Sequence, residues 1–440
     1  MNDPQSRFTP EHLEHLLGLL AIDTTSPMET GVPSAIPDAQ RAFRDFAVSR
    51  GFTEAYLGAP CAAVLSGAHV PVSVCEVAAK MGGAFLSSQP NLVLRAGGGR
   101  PAARTVMFNL HMDTVAGHVP VACEDGIVTG RGAVDMKGPG VAVLAGIEAA
   151  MRQDPRLAGE IQVLVQSVAG EEGGAMGVYG TKALVDLGYV GRLNVFAEPS
   201  EGHFFDRSTT SMTARVSVEG VGSTDDAPHA GQNATVILAA VATRFARDLV
   251  ADVRRIGGKT CIAGIHTGRM HNRVYGEGAL LVNFAYSTMA QAVAIEEATE
   301  IRFAEALHGL ATDLAGSEVF GATASAARAV TRLEWLKRRL PTLDNSDEAM
   351  RRVLAAAGIG RTPPALAHRA FTCDAMWAQR PDRYTVVYGP CSLEHNRAHA
   401  DGEFIAVADL ERFAREVEAI VRCFGDHCRS GAALLDEESK

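Results

Sequence analysis

Short apolar runs of strand length alternate with amphipathic helical segments along the first half of the chain. Residues 106–110, 161–168 and 193–197 have the length and composition of buried strands. Between the first two runs, apolar residues recur at helical spacing from 141 to 151, and Pro139 suits the first turn of that helix. This alternation predicts an open α/β sheet.

The pattern changes after residue 208 and returns in the last quarter of the chain. The elements predicted between these points are a strand at 214–218, a helix at about 233–250, strands near 259–267 and 277–286, and a long helix at about 290–310. That order is typical of a small α+β sandwich inserted into a larger domain. We therefore predict a mixed-sheet, three-layer α/β domain built from 1–208 and 326–440, with an inserted domain at 209–325.

Three further stretches complete the predicted organisation. Residues 12–50 predict mainly helix, whereas 58–100, rich in Ala, Val and Gly, predict strands and loops to which we assign no chemistry. A strand at 383–388 comes before a final helix. The apolar face of that helix contains Leu410, Phe413, Ala414, Val417 and Val421.

Carboxylates and an imidazole follow directly where three of the predicted strands end. His111 and Asp113 follow the first strand, Glu171 and Glu172 the second, and Glu198 the third. In an open α/β sheet the carboxyl ends of the strands face one crevice, where ligands bind. Because charged groups at the mouths of buried strands need a partner, this convergence predicts a divalent metal site.

Two more segments belong to the same prediction. Asp135 starts the segment Asp-Met-Lys-Gly just before the helix that Pro139 opens. A late segment offers His395 and His399 as nitrogen ligands. Each motif alone has an ordinary interpretation. A His-x-Asp after a strand is more often a surface turn, and adjacent glutamates usually lie in a solvated turn. Asp135 could simply cap its helix. Their combination in one chain favours the metal site.

Taken together, these motifs resemble the di-metal amidohydrolases and exopeptidases that include aminoacylase, acetylornithine deacetylase, succinyl-diaminopimelate desuccinylase and carboxypeptidase G. The resemblance covers nearly the whole chain. It implies that two divalent ions, Zn, Mn or Co, share Asp135 as a bridging ligand. The remaining ligands that it implies are His111 and Glu198 for one ion, and Glu172 and His399 for the other.

The same resemblance implies the other roles in the site. Glu171 is the implied general base, and Asp113 is implied to orient His111. His399 is preferred to His395 because the late motif of the family is a histidine followed four residues on by an acid, here Glu403. The inserted domain is implied to be a lid and dimerisation domain, so a homodimer or higher homo-oligomer is expected.

The inserted domain departs from the family pattern at two positions. Thr224 stands where a lid histidine would stabilise the oxyanion in a neighbouring subunit's site. Ala285, thirteen residues after Asn272, stands where an arginine would bind a substrate carboxylate. These departures make an unusual substrate possible. The candidate substrate-binding residues of the lid are His229, Arg269, His271, Asn272 and Arg273.

The residue types predict hydrolysis of a carbon–nitrogen bond. Two ions on a shared carboxylate activate a water and polarise a carbonyl, and Glu171 would carry the proton to the leaving nitrogen. The predicted substrate is a small amino-acid-like amide or peptide. One alternative is an aminohydrolase that removes an aromatic amine, as with 5-nitroanthranilate. Another is a non-catalytic protein that binds a metal or small ligand, which the spare carboxylate of Glu171 disfavours.

Composition excludes other classes of protein. A chain of 440 residues with 47% hydrophobic and 21% charged residues predicts a globular protein with room for two domains. The net charge of -10 and the lack of a long basic run argue against nucleic acid as a partner. No run approaches membrane-spanning length, and the first residues lack a signal-peptide pattern. Eight cysteines without a CxxC pair predict a reducing cytoplasm.

Overall fold

The computed structural model describes residues 6–437, with side chains described to residue 431. Its α-helices are α1 (Pro10–Leu20), α2 (Pro27–Thr30), α3 (Ile36–Ser49), α4 (Val72–Met81), α5 (Ala84–Ser87), α6 (Lys137–Gln153), α7 (Leu157–Glu160), α8 (Thr181–Asp186), α9 (Ala234–Arg244), α10 (Val250–Ile256), α11 (Met289–Asp313), α12 (Gly321–Val330), α13 (Glu348–Ala356) and α14 (Val407–Glu437).

Its strands are β1 (Thr53–Gly58), β2 (Asn91–Gly97), β3 (Thr105–His111), β4 (Ala122–Glu124), β5 (Ile127–Thr129), β6 (Gln162–Val168), β7 (Leu193–Phe196), β8 (His203–Phe204), β9 (Thr210–Glu219), β10 (Ser223–Thr224), β11 (Lys259–His266), β12 (Arg273–Val274), β13 (Glu277–Tyr286), β14 (Thr331–Lys337), β15 (Gly360–Arg361), β16 (Tyr384–Val387) and β17 (Phe404–Ala406). Two compact units share these elements, and residues 68–72 and 209–342 form the second of them.

The first unit is built on a six-stranded mixed sheet with the order β1-β2-β6-β3-β7-β16. β3 runs parallel to β6 and β7, β16 runs parallel to β7, and β1 and β2 are antiparallel at one edge. Alternate residues of β3 enter different cores: Val106 and Phe108 pack with α6 and α14, and Met107 packs with Leu184 of α8 on the other face. This is the three-layer α/β domain that the sequence predicts.

The carboxyl ends of the four parallel strands therefore lie at one edge of this sheet. All seven residues of β3 are buried, which a strand covered by helices on both faces requires. Polar residues that follow such strands leave the core at the same edge. The fold thus provides the shared crevice.

The second unit contains a four-stranded antiparallel sheet with the order β11-β13-β9-β14. Met212, Ala214, Val216 and Val218 of β9 alternate inward and pack with residues of α9 and α11. The predicted return to the first domain at 326 differs from the structure. Because β14 pairs with β9 in this sheet, the unit extends to residue 342.

Residues 58–100 also differ from their prediction of strands and loops. They contain the helices α4 and α5 before β2 begins. Ala and Met are strong helix formers, and the apolar residues of α4 do not need strand spacing because only Val74 is buried. Within the described residues, no helix is both long and apolar enough to cross a bilayer.

Candidate active site

Backbone turns at the sheet edge bring the predicted acidic residues into the crevice. His111 is the last residue of β3, and Glu198 follows β7. After β6 the chain turns at Gly170, whose φ is +81°, and a Cβ there would collide with the ring of Tyr179. Only glycine therefore permits the turn that delivers Glu171 to this edge.

The two carboxylate oxygens of Asp135 face two different histidines. Oδ1 lies 2.9 Å from Nε2 of His111, and Oδ2 lies 3.0 Å from Nε2 of His399. Nε2 of His399 is also 3.0 Å from Oε1 of Glu172, and Nε2 of His111 is 3.7 Å from Oε1 of Glu198. The structure thus brings together the five residues predicted as ligands, in two groups that meet at Asp135.

The donor set fits a divalent transition-metal ion. Ligand atoms of His111, Asp135 and Glu172 all lie within 4.8 Å of one another. Imidazole nitrogen and carboxylate oxygen are donors that Zn²⁺ and Mn²⁺ accept. Donors about 2.0–2.2 Å from a tetrahedral ion are about 3.3–3.6 Å apart, and the closest contacts in the cluster, between 2.9 and 3.7 Å, lie on both sides of this range.

The electrostatics of the cluster also call for a cation. Burial raises the pKa of Glu198 well above 4.5, and Asp135 adds to the increase. Burial likewise raises the pKa of Glu172 above its ordinary value. Burial opposes ionisation of Asp135 too, but hydrogen bonds from His111 and His399 outweigh it and lower the pKa of that carboxyl. Within the part of the chain that the structure describes, the positive groups found acting on these carboxylates are the imidazoles of His111 and His399.

Glu171 stands beside the ligand set and is not one of the residues that contact the histidines. Burial raises the pKa of Glu171 well above 4.5, and the carboxylate of Glu198 contributes further. A carboxylate that accepts a proton readily suits a general base.

Asp113 contacts His111 through its backbone carbonyl and not through a carboxylate oxygen, the usual partner of a metal-bound imidazole. Its backbone oxygen lies 2.7 Å from Nδ1 of His111, whereas its carboxylate Oδ1 is 3.9 Å away. The carboxylate instead accepts hydrogen bonds from the backbone N–H groups of Glu171 (3.4 Å) and Glu172 (3.2 Å). Asp113 therefore joins the β3 and β6 loops, and its carbonyl fixes the imidazole.

Glu403 supports the loop that carries Asp135. Its buried carboxylate accepts hydrogen bonds from the backbone N–H groups of Val134 (2.9 Å) and Asp135 (3.1 Å) and from Nη1 of Arg131 (2.8 Å). The spacing from His399 to Glu403 indicated a motif, but it did not indicate this role. His395, the other late histidine, is exposed and its ring packs against Phe404.

Asp374 is an acidic residue of the site that the sequence analysis does not identify. It is buried, accepts a hydrogen bond from Oγ1 of Thr181, and adds to the raised pKa of both Glu171 and Glu198. Burial raises the pKa of Asp374 itself to about 6. The only signal for it was an isolated acid in an apolar segment, which is a weak one.

The predicted lid residues lie in the second unit. Arg273 of β12 is paired with Thr224 of β10, so a guanidinium is placed next to the position where the family carries a histidine. Ala285 lies within β13. His229 lies in a short turn, and it is exposed, as are Arg269, His271, Asn272 and Arg273.

Comparison with known proteins identifies matches in family and in fold. The model of the peptidase family M20/M25/M40 matches residues 107–422. A curated Aeropyrum pernix protein named "Putative LysW-lysine/LysW-ornithine hydrolase" is 32% identical over 189 residues, which cover 42% of this chain and 51% of that protein. The chain thus spans about half the length of this curated relative.

Solved structures share the fold at low sequence identity. A tripeptidase from Staphylococcus aureus has a TM-score of 0.65 at 16% identity, covering 94% of this chain and 98% of that one. A Bacillus subtilis protein described as a dinuclear metal binding peptidase has a TM-score of 0.53 at 11% identity, covering 94% and 97%.

Proposed function

The chain belongs to the peptidase family M20/M25/M40, and from this premise we propose that it is a metal-dependent hydrolase that cleaves an amide or peptide bond in a small amino-acid-like substrate. The observation that carries the proposal is the placement of Asp135 between two histidines, each of which also faces a glutamate. The names of two similar proteins, a tripeptidase and a putative LysW-lysine/LysW-ornithine hydrolase, support this class of substrate.

The proposed ion sites use the residues of this cluster. His111, Asp135 and Glu198 would hold one ion, and Asp135, Glu172 and His399 the other. Bound ions would polarise the substrate carbonyl and make water a stronger acid. The carbonyl of Asp113 keeps Nδ1 of His111 protonated, so that Nε2 is free to be a ligand.

Glu171 is the proposed general base and acid. It takes a proton from the attacking water and passes that proton to the leaving nitrogen. One residue therefore performs both proton transfers at the cleaved bond. Desolvation of its half-buried side chain, together with the nearby charge of Glu198, favours the protonated form that the second transfer requires. This spare carboxylate beside a full ligand set is what a non-catalytic metal-binding protein would not need.

The second candidate function is removal of an aromatic amine, and the lid favours it. Thr224 and Ala285 replace a histidine and an arginine that would contact the oxyanion and the substrate carboxylate in an ordinary amino-acid amidase. One screen separates the candidates: the metal-loaded protein is assayed with N-acyl amino acids, dipeptides and aminobenzoates. Turnover of aminobenzoates alone would select the aminohydrolase, and turnover of the amides would select the first proposal.

Assembly and location complete the proposal. We expect a homodimer or higher homo-oligomer through the inserted domain, because β11 forms one edge of the sheet in the second unit and an unpaired edge favours pairing with another strand. We also expect a cytoplasmic protein. Light scattering of the purified protein tests the assembly, since a monomer at all concentrations would contradict it.

A further inference from the structure

A cavity of about 500 Å³ lies within the first unit, outside the ligand cluster. Clefts of about 300–1,000 Å³ are typical of small-molecule sites. Three chain segments form its wall, and each leads into the candidate active site. Pro199 directly follows Glu198, Phe371 comes shortly before Asp374, and the segment around Leu393 leads to His399. The wall of the cavity is therefore continuous along the chain with the segments that carry Glu198, Asp374 and His399, and Pro199 is covalently bonded to Glu198.

Two aromatic rings form part of this wall. The ring centroids of Phe205 and Phe371 are 5.3 Å apart, with an interplanar angle of 72°. Phe205 is buried, and its backbone exchanges two hydrogen bonds (3.1 and 2.9 Å) with Val387 at the end of β16. The first ring is thus attached to the main sheet, and the half-buried Phe371 extends the aromatic surface into the cavity. A ligand ring gains most from edge-to-face or offset packing on such a pair.

The arginine on the wall is already paired with a carboxylate. Arg369 forms an ion pair with Glu201, and Oγ of Ser392 donates a hydrogen bond to Oε1 of Glu201 at 3.2 Å. A ligand carboxylate would have to displace Glu201 before it could bind Arg369, and it would meet the negative charge of Glu394 as well. The cavity is therefore better suited to an uncharged ring than to an anion.

We propose that this cavity receives an aromatic ring of the substrate, on one side of the cleaved bond, and that Phe371 determines this specificity. The inference rests on the proposed function for the chemistry at the ions. Recognition of the ring depends only on the cavity, so it can be measured with and without turnover.

The test compares substrate pairs in which a phenyl group on Cβ is present or replaced by hydrogen, which leaves a methyl side chain: N-acetyl-phenylalanine and N-acetyl-alanine, Phe-Gly and Ala-Gly, and Gly-Phe and Gly-Ala. We expect the wild type to favour phenyl by about 10-fold or more in kcat/KM on one side of the bond. Phe371→Ala should lose that preference while its kcat/KM for the methyl substrates changes by less than about 2-fold. Phe46→Ala is the matched control, because Phe46 stacks on His15 and does not line the cavity.

Calorimetric titration with N-acetyl-phenylalaninamide and N-acetyl-alaninamide gives the second readout. If the wild type binds the phenyl compound more tightly and Phe371→Ala does not, the result supports a ring-binding role for the cavity, even if neither compound is hydrolysed. Failure of all turnover would then count against the proposed function alone. No preference for phenyl in either measurement, or a preference that Phe371→Ala retains, overturns the inference. A preference for acidic side chains that Arg369→Ala abolishes would identify an anion site and would also overturn it.

Discussion

Glu403 accepts a hydrogen bond from the backbone N–H of Asp135 at 3.1 Å, although the two residues are far apart in the chain. The same carboxylate pairs with Arg131, and both side chains are buried. The central carboxylate of the candidate site is therefore held by a residue that faces no histidine of the cluster. A residue that positions a proposed ligand is therefore distinct from the residues that would bind the ions.

We expect Glu403→Ala to weaken metal binding although it removes no ligand. Loss of a residue that orients a ligand typically costs about 10–100-fold in metal affinity. Leaving Arg131 buried without its carboxylate should also lower the free energy of unfolding by about 3–5 kcal/mol. Metal titration and denaturant unfolding measure the two effects. Glu394→Ala, at an exposed glutamate of the same late segment, is the control, and equal metal affinities in the two variants would contradict the role.

Glu171→Gln should keep its bound metal and lose activity. An amide cannot take up the proton of the attacking water, so kcat should fall by about 10²–10⁴-fold. The neighbouring Glu172→Gln is the matched variant, because its carboxylate faces His399 and its replacement should lower metal content. Turnover and metal analysis of both variants decide the roles. A fully active, metal-replete Glu171→Gln protein would exclude Glu171 as the base.

Replacing the shared carboxylate should affect both ion sites, whereas replacing one histidine should affect chiefly one. Asp135→Ala removes the group that both His111 and His399 face, and His399→Ala leaves the first group of donors in place. We therefore expect two ions per chain in the wild type, about one in His399→Ala and close to none in Asp135→Ala after dialysis. Full metal content in Asp135→Ala would rule out a bridging role.

Metal uptake should release protons at neutral pH. Hydrogen bonds to Asp135 and Glu172 raise the pKa of His399 to about 11 in the metal-free protein. The pKa of His399 in the folded protein lies above its ordinary value of 6.5. Protonation of His399 therefore stabilises the metal-free fold fully below about pH 6.5, and this stabilisation is lost as the pH rises towards 11. An incoming ion must displace that proton, so metal affinity should rise with pH in this range. Calorimetry in two buffers of different ionisation enthalpy measures the release, and identical heats would disprove it.

The sequence indicates the proposed ligands more clearly than the residues that support them, and the reason is physical. His111, Glu171, Glu172 and Glu198 follow apolar runs directly, and a charged residue at the end of a buried strand is visible in the sequence. Asp374 comes from a segment that carries no such pattern, and Glu403 is visible only as the acid of the late motif, so only the fold reveals how these two residues meet the cluster. The error at residue 326 is of the same kind, because pairing of β14 with β9 is a long-range contact that local patterning does not report.

Arg273 is the lid residue whose replacement should reveal the substrate. It is paired with Thr224, so its guanidinium stands on the strand pair that would carry the family histidine, and it is exposed and available to a ligand. If Arg273 takes over binding of a substrate carboxylate, Arg273→Ala should raise KM for carboxylate-bearing substrates about 10–100-fold, because a bidentate pair of charge-assisted hydrogen bonds is lost. The exposed Arg269 of the same unit provides the control variant. Efficient hydrolysis of N-acetyl amino acids by both variants would show that the Thr224 and Ala285 departures carry no information about the substrate.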